Sequence, residues 1–456
     1  MAIFGLVAVW CALGVAVFLY GGALWVHWLP CLAALGVTSA IYWAGSRRAD
    51  LAPSPPFRLR ALLVALAALA IFQLIPLPAG VVRLLSPVRA EVHAALVKAT
   101  GPAPATLTLV PGETFRWTLT VVGFILLFLL ARELVWRWSA RPWVVVAPLV
   151  AVGALEGALG LAQVYLGGAR VATGTYVYKN HYAGLLELCF PFALMGAVAL
   201  MRHRRRSHRT PAKPALAACG LLALAAVMLA AIIHSLSRGG FSFVLASLFV
   251  MGAASLGSSG SWRGRAPLGA VAVLVVLAFI LLPTDALIGR FGQLAAEEIP
   301  ADTRVEVWRE TTRLIAAYPL FGCGLGGYKS GFERYQTVAP MYTVDFAHND
   351  YLQLLAEWGA IGFGVLIALA IWMFRNAVVA AGYPVGSRRR YLGIACLGAL
   401  TAIALHSLVD FNLYLRANAA VLVWIAGISD GLQLLPANRL APTSPLYIEG
   451  QARVVG

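Results

Sequence analysis

About twelve apolar runs of membrane length, separated by short polar stretches, constrain this chain more than any other feature. A helix needs roughly 20 apolar residues to cross a bilayer, and in lipid only helices or closed barrels satisfy their own backbone. The runs fall near residues 2–19, 23–44, 61–77, 117–130, 142–166, 182–201, 215–234, 241–256, 268–282, 351–374, 392–406 and 419–432. The first two form a hairpin across Gly21-Gly22, and without a positively charged leader the first is expected to be a retained span. With 61% of residues hydrophobic and 12% charged, no soluble core could hide the apolar surface. The expected fold is an all-α integral membrane protein of about twelve transmembrane helices. Residues 1–435 form one polytopic unit, and 436–456 a short cytoplasmic tail.

Charge gives the expected orientation. With the N-terminus inside, the inner loops hold Arg47, Arg48, Arg58 and Arg60, then Arg132, Arg137 and Arg141, then the run from Arg202 to Lys213. Arg263, Arg265, Arg375, Arg388, Arg389 and Arg390 follow, with Arg439 and Arg453 in the tail. That side takes 21 of the 35 Lys and Arg but four of the 19 Asp and Glu, a net of +17, leaving −1 for the outer loops and spans. A net charge of +16 is thus a positive-inside pattern. The basic residues are scattered over short loops, so nucleic-acid binding is not expected. The expected location is the inner membrane of a bacterium, with both termini cytoplasmic.

The longest polar segment, about 283–347, then lies outside. No inner loop is long enough to bind a nucleotide, so any substrate must bring its own energy to the outer face. Five of the six cysteines lie in apolar spans and read as small core residues. Cys323 alone lies outside, so no disulfide is expected there.

Four outer-face groups could carry chemistry. Ser235-Leu-Ser-Arg238-Gly-Gly240 opens a helix whose free N–H groups, with Arg238, would suit an anion. The competing reading is a tight hairpin with one snorkelling arginine. In Asp302–Pro319, Thr303-Arg-Val-Glu306 fits a capping box with Thr303 as N-cap. Val305, Trp308 and Ile315 would share the face of a helix lying on the membrane. Arg309 and Arg313 have acidic residues at i−3, whereas Arg304 has none at i+3 or i+4; it holds either an external anion or water. Asp345-Phe-Ala-His348-Asn349-Asp350 leads into the next span with Asn349 or Asp350 as N-cap. The positive end of that helix disfavours a protonated ring, so His348 suits a general base, with a plain interfacial histidine or a metal ligand between the flanking carboxylates as alternatives. Lastly, Lys179, Asn180 and His181 follow two tyrosines that could hold a sugar or form an aromatic belt. Gly322-Cys-Gly-Leu-Gly-Gly327 follows no strand, so it is no dinucleotide fingerprint and reads as a flexible turn.

Taken together, several of these segments carry a resemblance. They are Ser237-Arg238-Gly239-Gly240 before an apolar span, Arg304-x-x-x-Trp308 running into Pro319–Gly327, and His348-Asn349-Asp-Tyr-Leu-Gln-Leu-Leu-Ala-Glu357-Trp-Gly359. With Asn180-His-Tyr-Ala-Gly184 and Gln73-Leu-Ile-Pro-Leu-Pro78, they resemble the successive signatures of the O-antigen ligase and polymerase superfamily of membrane glycosyltransferases. The resemblance implies a GT-C-like helical fold with a helical periplasmic loop over the active site. It also implies a glycan donor on undecaprenyl pyrophosphate, transferred with inversion, without cofactor, nucleotide or metal. On this match Arg238 and Arg304 bind the donor pyrophosphate and His348 is catalytic. Lys179, Asn180, His181 and Asn349 are candidate substrate contacts. The acceptor is expected to be the lipid A-core oligosaccharide. Exopolysaccharide polymerases and protein oligosaccharyltransferases are the alternatives, the latter disfavoured by the short tail after the last span. A lipid-glycan flippase or small-anion transporter is the rival from another class, but only Glu156 and Glu187 fall within spans where a carrier would place its ionisable groups.

Overall fold

The computed structural model describes residues 1–206, 212–256, 301–337 and 343–435, and every regular element among them is a helix. The helices are α1 (Ala2–Phe18), α2 (Trp25–Gly45), α3 (Phe57–Phe72), α4 (Ala79–Leu85), α5 (Pro87–Thr100), α6 (Pro111–Arg137), α7 (Ala147–Tyr165), α8 (Lys179–Arg206), α9 (Ala212–His234) and α10 (Arg238–Leu256). They continue as α11 (Ala301–Ala317), α12 (Tyr328–Phe332), α13 (Asp350–Ala381), α14 (Arg388–His406) and α15 (Arg416–Leu434). Eleven of the expected spans coincide with a helix; the one at 268–282, like the tail and residues 283–300 of the long loop, lies outside the described residues. Among the described residues, eight helices are by themselves long and apolar enough to cross a membrane. The chain is an all-α multi-pass membrane protein.

Lipid offers no hydrophobic drive for helices to associate, so close packing at small residues holds such a bundle. The contact of α15 with α6 shows this. A Cβ at Gly427 would lie 2.5 Å from Ala131 Cβ and one at Gly431 2.7 Å from Val135 Cβ, so these glycines, four residues apart, let the two backbones meet. Trp424, fully buried on α15, donates to Val145 O at 3.0 Å. Around this contact α8 packs with α9 and α14, α10 with α14, and α3 with α6 and α13.

The two ends of the bundle differ. At one, buried arginines bind carbonyls that helix termini leave open. Arg390 donates to Ala381 O and Tyr383 O beyond α13 and to Ala254 O and Ser255 O at the end of α10, all within 3.2 Å. Arg389 reaches Leu435 O and Gln433, and Arg132 pairs with Asp430 at 2.7 Å. At the other end the loops before α8, α10, α13 and α15 converge: Ala172 N donates to His234 O, and Asp350 N to Ser407 O, each at 2.9 Å.

A cap of α4, α5, α11 and α12 adjoins that second end. Its core is Val307, Leu314, Tyr318, Cys323, Tyr328 and Phe332. Helix α11 already includes Thr303, so Thr303 is not its N-cap. The inward face is Val307, Thr311 and Leu314, while Val305 is half exposed, because the helix packs on the cap rather than on lipid through the expected face. Glu310 turns inward and accepts from Thr337 N at 2.7 Å.

The glycine-rich segment is no flexible turn. Helix α13 breaks at Gly359 (φ 62°, ψ −177°), a conformation essentially reserved to glycine. The break frees backbone groups, and residues 319–324 take them up. Cys323 N donates to Ala356 O, Gly324 N to Glu357 O, Ala360 N to Pro319 O and Ile361 N to Leu320 O, at 2.8–3.3 Å. Gln73, from the segment after α3, locks the same place through Phe321 O, Glu357 O and Leu325 N. The Glu357 carboxylate accepts from Gly326 N, Tyr328 N and the Tyr414 hydroxyl.

Candidate functional site

Residues 406–410, between α14 and α15, hold the site together. Asp410 is buried, and its Oδ1 lies 3.5 Å from His348 Nδ1 and 3.6 Å from His181 Nε2. One residue earlier, Val409 O accepts from Arg304 Nη1 at 3.2 Å. At its start, His406 O accepts from Asp410 N, closing the loop as a tight turn. Burial alone would push the Asp410 carboxyl up, yet the facing imidazoles of His181 and His348, with the nearby charge of His406, hold it well below the usual carboxylate range. Asp410 therefore stays a carboxylate and presents its charge to two imidazoles.

The chain on either side of His348 is pinned. Its backbone sits at φ 51°, the left-handed region that costs a non-glycine residue about 1–2 kcal/mol. Ala347 N donates to Gln353 Oε1, and Trp308 of α11 donates to Ala347 O, both at 2.9 Å. Asn349 is the N-cap of α13: its amide oxygen accepts from Leu352 N, and its amide nitrogen donates to Leu408 O. The amide of Asn349 is thus engaged on both sides by the chain itself. The ring of Phe411 lies 4.9 Å from that of His348 and 4.4 Å from that of His181, and Phe346 stacks on Phe411 at 4.1 Å. The ring of His348 remains partly exposed, at 19%.

The carboxylates expected to flank His348 turn elsewhere. Asp345 pairs with Lys329 at 2.8 Å, and Asp350 accepts from the Ser407 hydroxyl and Leu413 N. Asp410, some sixty residues on, takes their place. The signal in the sequence was an acidic residue between the last two apolar runs, next to the end of a helix, which is weak in isolation.

Arg238 is exposed at the first position of α10. Ser237 caps that helix, its hydroxyl accepting from Gly240 N at 3.1 Å, while the residue before the cap, Leu236, also has a left-handed backbone (φ 51°). Beneath this turn lies a buried pair, His406 Nδ1 and Glu187 Oε1 at 3.0 Å. Lys179 and Asn180 lie half-buried on the first turn of α8, and His181 is buried beside Asp410. Arg309 and Arg313 are exposed on α11, away from its packed face. The structure thus gathers Arg304, His348 and His181 around one loop and sets Arg238 on the adjoining helix end. Sequence reasoning missed Asp410 and His406 and left Glu187 without a role.

An apolar cavity of about 280 Å³ runs between α3, α6, α13, α14 and α15. Leu63, Phe124, Leu366 and Leu422 line its length, and Ser407, Leu413 and Tyr414 line the part nearest the site.

No curated protein matches the chain. Residues 223–367 match the family model described as O-antigen ligase. The matched stretch runs from α9 into α13 and includes Arg238, Arg304 and His348, while His181, Glu187, His406 and Asp410 fall outside it. The resemblance read from the motifs is borne out over residues 223–367, which match the O-antigen ligase family model.

Proposed function

We propose that the protein is an inverting membrane glycosyltransferase, moving a glycan from undecaprenyl pyrophosphate to a sugar hydroxyl on the periplasmic side. The acceptor we favour is the lipid A-core oligosaccharide. The observation that carries the reading is Asp410 behind His348. A carboxylate 3.5 Å from Nδ1 favours the proton on that nitrogen and leaves Nε2 as the base.

In this mechanism the acceptor hydroxyl attacks the anomeric carbon of the donor sugar while the bond from that carbon to the pyrophosphate oxygen breaks. The hydroxyl proton passes to His348 Nε2, and the imidazolium so formed is stabilised by Asp410. Arg304 and Arg238, with the free N–H groups of α10, neutralise the leaving pyrophosphate. Single displacement from the opposite face inverts the anomeric centre. The apolar cavity suits part of a prenyl chain. Lys179 and Asn180, half-buried on the first turn of α8, are the proposed glycan contacts, with the buried His181 acting through Asp410.

The test uses purified protein in detergent, a lipid-linked glycan donor and lipid A-core acceptor. Transfer without any ion gradient is expected, whereas a carrier would give no product. Absence of product with every glycan acceptor tried would overturn the reading. Restoration of capped lipopolysaccharide in a ligase-deficient strain would identify the acceptor, and lengthened free polymer instead would point to a polymerase.

A further inference from the structure

We infer that Glu187 and His406 are positioning residues for the anion-binding turn of α10, an inference that rests on the transferase reading for the identity of the anion. Both side chains are buried, on α8 and at the end of α14 respectively, with His406 Nδ1 3.0 and 3.3 Å from the two Glu187 oxygens. An acid–imidazole pair of this kind inside a bundle is costly to bury, and nothing in the displacement chemistry uses it directly. Its surroundings show what it does.

Both glycines after Arg238 rest on the pair. A Cβ at Gly239 would lie 3.4 Å from His406 Nε2, and one at Gly240 would lie 3.2 Å from Glu187 Oε1 and 2.6 Å from Ala183 Cβ. One turn further on, the Phe243 ring lies 5.3 Å from the His406 ring. The first turn of α10 therefore has no side chains between its backbone and the pair, and its height above α8 and α14 is set by them. Arg238 and the free N–H groups are aimed by that contact. His406 also acts through its backbone, because His406 O accepts from Asp410 N at 3.1 Å. One residue thus locates the turn that meets the leaving group and the carboxylate behind the base. Glu187 holds that residue's ring by two oxygens, fixing its orientation.

The test compares full-length His406→Leu, Glu187→Gln and Gly240→Ala with wild type. One measurement is thermal stabilisation by inorganic pyrophosphate, and the other is donor KM and kcat in glycan transfer. His406→Leu should raise donor KM by about tenfold or more and lose the stabilisation, with kcat at saturating donor within about threefold. Glu187→Gln keeps an oxygen that accepts from the ring N–H and should stay within about threefold of wild type in both measurements. Gly240→Ala presses on Ala183 and Glu187 Oε1 and lifts the turn while keeping both members of the pair, and should reproduce the KM rise, which decides the matter if His406→Leu does not fold. A wild-type donor KM in His406→Leu, or in Gly240→Ala when the former cannot be purified, overturns the proposal. So does a wild-type protein that pyrophosphate does not stabilise. Stabilisation that is lost in His406→Leu, in a protein showing no transfer, would leave the positioning role standing and overturn the transferase reading instead.

Discussion

Asp410 shares one oxygen between two imidazoles, and that sharing sets measurable behaviour at the scale of single residues. Its carboxyl is held below the usual range, so its contribution to stability is present above the unfolded value of about 3.9 and is lost as pH falls through the lower folded value. Asp410→Asn should therefore melt below wild type near neutral pH, and the gap should close only in acid below the ordinary carboxylate range. Transfer by Asp410→Asn should drop by about 10²-fold or more, as for other losses in a general-base system, and His348→Ala should lose at least as much while still retaining the lipid-linked donor. If His348→Ala transfers within a few-fold of wild type, the base lies elsewhere. Arg304 spends one arm on Val409 O, so Arg304→Lys should fail, because a lysine cannot hold that carbonyl and fork onto phosphate together. Arg309→Ala and Arg313→Ala, on the exposed face, should keep most activity in the same assay.

Among the helices, the break in α13 carries the greatest consequence for sequence changes. A Cβ at Gly359 would lie 2.4 Å from Gly322 N and Leu320 O, against the backbone that occupies the break. Gly359→Ala combines that clash with a backbone strain of about 1–3 kcal/mol. The expected result is little folded protein in detergent-resistant form, measured by size-exclusion chromatography; a monodisperse variant with wild-type activity would contradict it. The break also explains what the sequence could and could not convey. Helices of membrane length are visible as apolar runs, so eleven of the helices, eight of them long and apolar enough to cross a membrane, and the Asn349 cap were legible. The role of Gly322–Gly327 was not, because its partners Gln73, Ala356 and Glu357 are remote in sequence and meet the segment at its own backbone atoms, which no residue pattern encodes. Asp410 was hidden for the same reason: its meaning lies in two histidines brought to it by other helices, about 230 and 60 residues away.

Over the whole molecule, buried arginines tie both ends of the bundle, and the site end adds accessible ones. At one end Arg132, Arg389 and Arg390 are buried; at the other Arg416 is buried and donates to Gly22 O and Ala23 O, while Arg238 is exposed and Arg304 half-buried beside the candidate chemistry. Under the proposed orientation the first end is cytoplasmic, and the same arginines that direct insertion then serve as internal ties. A reporter active only in the periplasm should work when fused at Gln336 and fail at Arg388. The reverse pattern would place the site on the cytoplasmic side and remove the proposed donor.

The broken helix has a bearing on how such a chain is made. A span interrupted at membrane depth would enter lipid with exposed N–H and C=O groups, each costing several kcal/mol. The groups that take them up, Gln73 and residues 319–324, all precede α13 in the chain. When the ribosome delivers α13, its mates have already been synthesised. Order of synthesis thus coincides with order of need, and the interrupted span can be received rather than stranded.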